Sequence, residues 1–174
     1  MRKLLLAVIV SLSTVSTAAL AEIKVGIILG FTGPIESLTP AMRDGAKMAF
    51  DEASNSGNLL GGETITILEG DSTCADSAAG TAAAENLVAQ GVTAIMGADC
   101  SGVTGAINAN VAVPNGILMV SPSATSPGLS SVPDNGTFWR TAPSDAKGGQ
   151  VLANLTLSKG IESIAITYTN NDYG

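Results

Sequence analysis

Apolar and polar residues follow two alternating spacings along this chain. Short apolar runs, typical of strands buried in a sheet, occur at residues 23–29, 63–68, 93–96, 117–120, 137–141 and 163–169. Between them, apolar residues at helical spacing predict helices at residues 40–56, 78–90, 102–113 and 145–159. The repeated β-α order predicts an α/β fold, a parallel sheet flanked by helices on both faces.

The N-terminus predicts a signal peptide over residues 1–21. Arg2 and Lys3 precede an unbroken apolar run at residues 4–10, which is too short to span a bilayer as a helix. Small residues then lead to Ala19-Leu20-Ala21, an A-x-A cleavage pattern. We expect cleavage after Ala21 and export of a protein that begins at Glu22. Since Glu22 is not a cysteine, lipid attachment there is not expected.

The mature sequence predicts one lobe and the beginning of another. Residues 22–143 carry the first five predicted strands and form the N-terminal ligand-binding lobe. Residues 144–174 hold one predicted helix and one predicted strand, which cannot close a core of their own. We therefore expect an incomplete second α/β lobe, and we interpret the sequence as the front part of a longer protein.

Charge and composition exclude several classes of function. Without Arg2 and Lys3, 6 of the 8 basic residues remain against 15 acidic residues, a net charge of −9. Nucleic acids and anionic membranes require clustered Lys and Arg, so neither is expected as a partner. The chain has no histidine and therefore lacks the usual base for a serine or cysteine nucleophile. We expect a binding protein and not an enzyme.

The glycines near the first strand do not predict a dinucleotide cofactor. Gly26, Gly30 and Gly33 are spaced G-x-x-x-G-x-x-G, whereas the dinucleotide-binding pattern is G-x-G-x-x-G. Gly26 also lies inside the predicted strand, and Pro34 interrupts the loop where a phosphate-binding helix would start. We expect no cofactor.

Cys74 and Cys100 are the only cysteines of the chain. In an exported protein two cysteines more often pair than stay free. The C-x-x-C spacing of a redox pair is absent, and two cysteines without histidine form no recognisable zinc site. The sequence therefore favours a structural disulfide.

Three loops are predicted at the carboxyl ends of strands, where α/β sheets bind their ligands. They span residues 30–38, 97–101 and 121–126. Ser123, Ala124 and Thr125 form a small loop that offers hydrogen bonds but no strong acid or base. Ser101 directly precedes a predicted helix, whose first N–H groups could bind a carboxylate together with the Ser101 hydroxyl. Taken singly, each of these residues is better interpreted as a helix cap or a turn former.

Several motifs together resemble one family. They are IKVGIILGFTGP at the first strand, GDSTC and DCS at the cysteines, GILMVSPSATSP, FWRTAPSD and the terminal NDYG. Over residues 22–174 they resemble the leucine/isoleucine/valine-binding proteins, the type I periplasmic substrate-binding proteins of ABC transporters. The resemblance implies two α/β lobes that close on a free amino acid in the periplasm and deliver it to an inner-membrane permease. A ligand-sensing domain of a signalling protein on the same scaffold is the alternative.

The resemblance also implies a set of ligand-binding residues. Ser101 and Thr125 would bind the α-carboxylate and α-ammonium groups of the amino acid. Ser123 would contribute through its backbone, with Ala124 beside it in the same loop. Tyr173 would face the ligand from the second lobe.

Other positions qualify this implied site. Cys74 and Cys100 correspond to the family's disulfide. Leu38 stands where leucine-binding relatives often have an aromatic wall, which leaves the identity of the amino acid open. Asp99 places a carboxylate beside the carboxylate site, where it would repel the ligand unless it turns away, caps the helix or contacts a cationic substrate. Because the family's acidic partner for the ammonium group lies beyond Gly174, we expect the fragment to bind amino acids weakly or not at all.

Overall fold

In the computed structural model, which describes residues 22–174, strands and helices alternate along the chain. The strands are β1 (Ile23–Leu29), β2 (Ile65–Asp71), β3 (Ala94–Gly97), β4 (Leu118–Ser121) and β5 (Phe138–Arg140). The helices are α1 (Thr39–Asn55), α2 (Ser77–Ala89), α3 (Ser101–Ile107), α4 (Val113–Asn115) and α5 (Asp145–Ser158). A π-helical segment (Asn108–Ala112) joins α3 to α4, and a 3-10 turn (Pro127–Ser130) precedes β5. The predicted signal peptide lies outside the described residues.

The five strands form one parallel sheet in the order β2-β1-β3-β4-β5. β1 pairs with β2 along its whole length, from Ile23 opposite Ile65 to Leu29 opposite Asp71, and with β3 on its other side. Since all strands run in the same direction, the loops that follow them open at one edge of the sheet, the carboxyl edge. The three loops predicted to hold a ligand therefore lie along one edge.

The two faces of the sheet are covered by different helices. On one face Val25 of β1 packs beside Ala49 and Phe50 of α1 around an apolar groove. On the other face, a Cβ added to Gly26 would lie 2.9 Å from Leu87 Cδ1 of α2. Gly26 therefore allows α2 to pack closely on the sheet. The predicted parallel sheet with helices on both faces is confirmed.

Polar side chains fix the starts of two helices. Asp76 accepts hydrogen bonds from the backbone N–H groups of Ala78 and Ala79, at 2.9 and 3.0 Å, and so caps α2. Ser144 caps α5 in the same way, by accepting a hydrogen bond from Ala146 N at 3.3 Å. The cap on α5 makes Asp145 the first residue of that helix.

The prediction of a strand at residues 163–169 is wrong. These residues have no regular secondary structure, and Ile166 and Tyr168 are exposed. A strand needs a neighbouring strand to complete its backbone hydrogen bonds, and no strand of residues 22–174 lies beside this segment.

The division into lobes at residue 144 stays a prediction. Across the described residues, no helix has the length and apolar character needed to cross a membrane.

Gly80 allows α2 and α3 to approach each other closely. A Cβ added to Gly80 would lie 2.3 Å from Val103 Cγ1, so we expect Gly80→Ala to cost about 1–3 kcal/mol of unfolding free energy through overpacking. Gly45 in α1 provides the matched control, because nothing lies within 4 Å of a Cβ added there. Gly45→Ala should stabilise by roughly 0.5–1 kcal/mol through helix propensity. Urea unfolding measures both changes, and effects of the same sign would contradict this description of the helix contact.

Candidate functional site

A cavity of about 350 Å³ opens at the carboxyl edge of the sheet. Its walls come from the loops after β1 to β4, from α1 and α3, and from the last described turn. The lining residues are Ile35, Leu38, Met42, Cys74, Ala75, Ser77, Asp99, Cys100, Ser101, Gly102, Val103, Ser123, Thr125, Asn171, Asp172 and Tyr173. The structure thus brings five predicted ligand residues to one cavity: Leu38, Ser101, Ser123, Thr125 and Tyr173. The volume is in the usual range for small-molecule sites.

Ser101 forms a corner of the cavity that donates hydrogen bonds. Its Oγ accepts a hydrogen bond from Ser126 N at 3.1 Å, and no acceptor for its own hydroxyl hydrogen lies in reach among residues 22–174. The N–H groups of Gly102 and Val103 belong to the first turn of α3, where a helix supplies no acceptor for them. Because the helical backbone continues to Asn115, its dipole adds to this positive potential. The corner is suited to an oxyanion, and in this structure the Asp172 carboxylate approaches it, with Oδ2 3.7 Å from a Cβ added to Gly102.

Thr125 forms a second corner, which accepts hydrogen bonds. The Thr125 hydroxyl donates to Asp145 Oδ2 at 2.7 Å, and Asp145 N donates to the Thr125 carbonyl at 3.0 Å. Since its hydrogen is engaged, Thr125 Oγ1 can act toward a ligand only as an acceptor. The Asp145 carboxylate adds a negative charge close to it. This corner is suited to a cation that donates hydrogen bonds.

The rest of the loop after β4 is fixed by its own polar groups. Ser123 Oγ donates to the Asp99 carbonyl at 2.9 Å, which ties this loop to the loop after β3. Ala124 does not line the cavity, because its side chain is fully buried in the core. Its N–H donates to Ser121 Oγ at 3.0 Å, and its carbonyl accepts from Arg140 Nη1 at 3.1 Å. Ala124 therefore holds the loop in place and offers no free polar group to a ligand.

The Asp99 carboxylate is turned toward the ends of neighbouring strands. It is 2 % exposed, and its Oδ2 accepts a hydrogen bond from Gly30 N at 2.8 Å. Its Oδ1 accepts from Ser72 Oγ at 3.2 Å and from Cys100 N at 3.0 Å. Asp99 makes no side-chain cap on α3. Asp99 was expected to turn away from the ligand, to cap the helix or to contact a cationic substrate. The structure favours the first of these, because its carboxylate is directed to the ends of neighbouring strands.

The disulfide between Cys74 and Cys100 forms part of the cavity wall. The two Cα atoms are 5.2 Å apart, and the bond joins the loop after β2 to the residue that precedes α3. Cys74 has a left-handed backbone, with φ of 64°. The predicted disulfide is confirmed, and it holds Ser101 next to the loop after β2.

An aliphatic wall completes the cavity. We use this name for Ile35, Leu38 and Met42, which lie in the loop after β1 and in the first turns of α1. Leu38 and Tyr173 are about half exposed, at 55 % and 51 %. The wall is suited to an aliphatic group of a ligand.

The cavity wall also contains residues that were not among the predicted ligand residues: Ile35, Met42, Ala75, Ser77, Asn171 and Asp172. Asp145 does not line the cavity and is connected to it through its hydrogen bond with Thr125. Met42 lies four residues after Leu38, which places both residues on one side of the first turn of α1, and this spacing was the available signal. Asp145 lies in the helix predicted at residues 145–159, and that position gives no signal of its contact with Thr125.

Comparisons with known proteins agree with this geometry. The family model described as periplasmic binding protein matches residues 22–174. The Leu/Ile/Val-binding protein BraC3 of Rhizobium johnstonii is 30% identical over 173 residues, which are 99% of this chain and 46% of that protein. The chain therefore spans less than half the length of the curated relatives it matches.

Two solved structures show the same fold with ligands bound. The branched-chain amino acid transporter substrate-binding protein LivJ of Streptococcus pneumoniae, in complex with isoleucine, is 30% identical with a TM-score of 0.68. The match covers 80% of this chain and 39% of LivJ. An ABC transporter substrate-binding protein of Desulfitobacterium hafniense, in complex with Leu, is 27% identical with a TM-score of 0.69 and covers 88% of this chain and 44% of that one. Fold, cavity and family match lead to one conclusion: the chain belongs to the periplasmic binding protein family.

Proposed function

We propose that the chain belongs to a periplasmic receptor that binds a free branched-chain amino acid and delivers it to the membrane permease of an ABC transporter. One observation carries this proposal. A donor corner at Ser101, an acceptor corner at Thr125 with Asp145, and an aliphatic wall meet around one cavity. A zwitterion with an aliphatic side chain needs these three kinds of surface.

The proposed pose follows from the hydrogen-bonding capacity of each corner. The α-carboxylate accepts hydrogen bonds from the Ser101 hydroxyl and from the first N–H groups of α3. The α-ammonium donates to Thr125 Oγ1 and is paired with the Asp145 carboxylate, since hydrogen bonds between charged groups are the strong ones. The side chain then lies against Ile35, Leu38 and Met42. The Asp99 carboxylate is buried and accepts its hydrogen bonds from Gly30, Ser72 and Cys100, so it is not assigned to the ligand in this pose.

The relatives support the same ligand class. BraC3 is named for binding Leu, Ile and Val, and the two solved structures hold isoleucine and Leu. All three are binding or transporter proteins by name, so the alternative of a sensory domain is not favoured. Export through a signal peptide cleaved after Ala21, and delivery to a permease, belong to the proposal.

A thermal-shift screen tests the proposal. The protein, purified at its natural length, is heated with each common amino acid, with D-leucine and with NAD. A ligand that binds the folded state at a hundred times its dissociation constant stabilises it by about 2.7 kcal/mol, which moves the melting temperature clearly. We expect shifts with leucine, isoleucine or valine and none with NAD. A flat response to every amino acid, or a shift with NAD alone, would contradict the proposal.

A further inference from the structure

Asp71, the last residue of β2, holds the loop that leads to the aliphatic wall. The Thr32 hydroxyl donates to Asp71 Oδ2 at 2.6 Å, and Thr32 N donates to Oδ1 at 3.3 Å. Thr73 N donates to the same Oδ1 at 2.8 Å. Partial burial raises the pKa of Asp71, but the hydrogen bonds from Thr32, Thr73 and Phe31 together outweigh it and hold this pKa below its ordinary value. The loop after β1 is thus attached to an ionised carboxylate on the neighbouring strand.

The loop after β1 lies directly on the residues that follow β2. Gly33 has a φ of 102°, and a Cβ added to it would lie 2.3 Å from the Thr73 carbonyl oxygen. Only glycine combines this backbone conformation with so close an approach. Asp71 and Gly33 therefore fix the loop against the same short segment, one by hydrogen bonds and the other by contact.

The fixed end of the loop is connected to the wall by tight turns. Glu36 N donates to the Gly33 carbonyl at 3.4 Å, and Leu38 N donates to the Ile35 carbonyl at 2.9 Å. Successive turns leave little freedom between Thr32 and Leu38, so a change in the attachment at Thr32 shifts Ile35 and Leu38. Asp71 itself does not line the cavity.

From this geometry we propose that Asp71 is a positioning residue, which sets the location of the aliphatic wall and thereby the selectivity for long aliphatic side chains without touching the ligand. The inference rests on the proposed function, because it takes an aliphatic amino acid as the ligand. It predicts an effect on selectivity: ligands that reach the wall lose affinity when the attachment is broken, and ligands that do not reach it are little affected.

Asp71→Asn tests the inference, because the amide keeps the size of the side chain but removes its charge and one of the two oxygens that accept hydrogen bonds. Calorimetric titration with leucine and competition with alanine should show leucine affinity lowered about tenfold and alanine affinity changed less than about twofold. Thr32→Val removes the hydroxyl from the other side of the same contact. The double variant should lose no more leucine affinity than the single variant with the larger loss, as expected for two residues that take part in one interaction.

Asp134→Asn is the matched control. Asp134 accepts a hydrogen bond from Gly136 N at 2.9 Å in a turn outside the cavity, so this change should leave both affinities unaltered. If Asp71→Asn and Thr32→Val lower the affinities for leucine and alanine equally, or lower neither, the inference is overturned. The proposed function is unaffected by that result, because it rests on leucine binding by the wild-type protein. If the wild-type protein at its natural length binds no amino acid, the proposed function fails, and the inference fails with it. Melting curves verify that each variant is folded. If Asp71→Asn does not fold, Thr32→Val alone decides the test.

Discussion

Replacing Thr125 by valine should weaken leucine binding by about 10- to 100-fold, because hydrogen bonds to charged groups contribute roughly 1.5–3 kcal/mol. Valine keeps the branched shape of threonine and replaces the hydroxyl by a methyl group. It removes the oxygen that we expect to accept a hydrogen bond from the α-ammonium, and it releases Asp145 from its 2.7 Å contact. The ammonium would then meet an apolar surface. Calorimetric titration of leucine into the variant measures the change.

Thr81→Val provides the control for this substitution. Thr81 is half-buried on α2 and does not line the cavity, and its hydroxyl donates to the Ser77 backbone carbonyl at 2.7 Å within the helix. We expect leucine affinity within about twofold of wild type in Thr81→Val, as for changes far from a binding site. Equal affinities in Thr125→Val and Thr81→Val would show that Thr125 does not contact the ligand, and the proposed pose would be wrong.

Removing the disulfide should have the largest effect on stability. For a bond that closes a loop with a sequence separation of 26 residues, we expect Cys74→Ser with Cys100→Ser to lower the unfolding free energy by roughly 3–4 kcal/mol. The released loops also carry Ser101, so leucine affinity should fall in addition. Guanidinium unfolding measures the first effect, and titration well below the melting temperature measures the second.

Reduction of the wild-type protein is the matched control for the double serine variant. Since Cys74 and Cys100 are the only cysteines, a thiol reductant acts on this bond alone. The reduced wild type and the double serine variant should therefore show the same stability. A loss below about 1 kcal/mol in both would contradict the structural role of the bond, since native disulfides usually contribute 2–5 kcal/mol.

The fold could be predicted from the sequence where local pattern and tertiary contacts agree. β1 was predicted at its observed bounds. A continuous run of apolar residues is stable where both of its faces are buried, as they are inside a parallel sheet covered by helices. The segment at residues 163–169 has the same kind of pattern, yet it forms no strand. A strand is completed by its neighbours, and none is present beside it among the described residues. Pattern alone cannot supply that information.

The candidate site was partly predictable for a similar reason. Residues that follow parallel strands must lie along one edge, so Ser101 and Thr125 could be placed together from the sequence. The contact between Thr125 and Asp145 joins residues 20 positions apart through the start of a helix, and no spacing rule predicts it. The orientation of Asp99 also depends on donors from three loops, which only the folded chain brings together.

In the proposed pose, the cavity binds both charged groups of an aliphatic amino acid. Calorimetric titration with leucine, 4-methylpentanoate and 3-methylbutylamine tests this claim, because the two analogues keep the side chain and each lacks one charged group. We predict that leucine binds and that both analogues bind at least about 100-fold more weakly, since a site built to hydrogen-bond a group rejects ligands without it. An analogue that binds as tightly as leucine would contradict the claim, because one of the two corners would then make no contribution to binding.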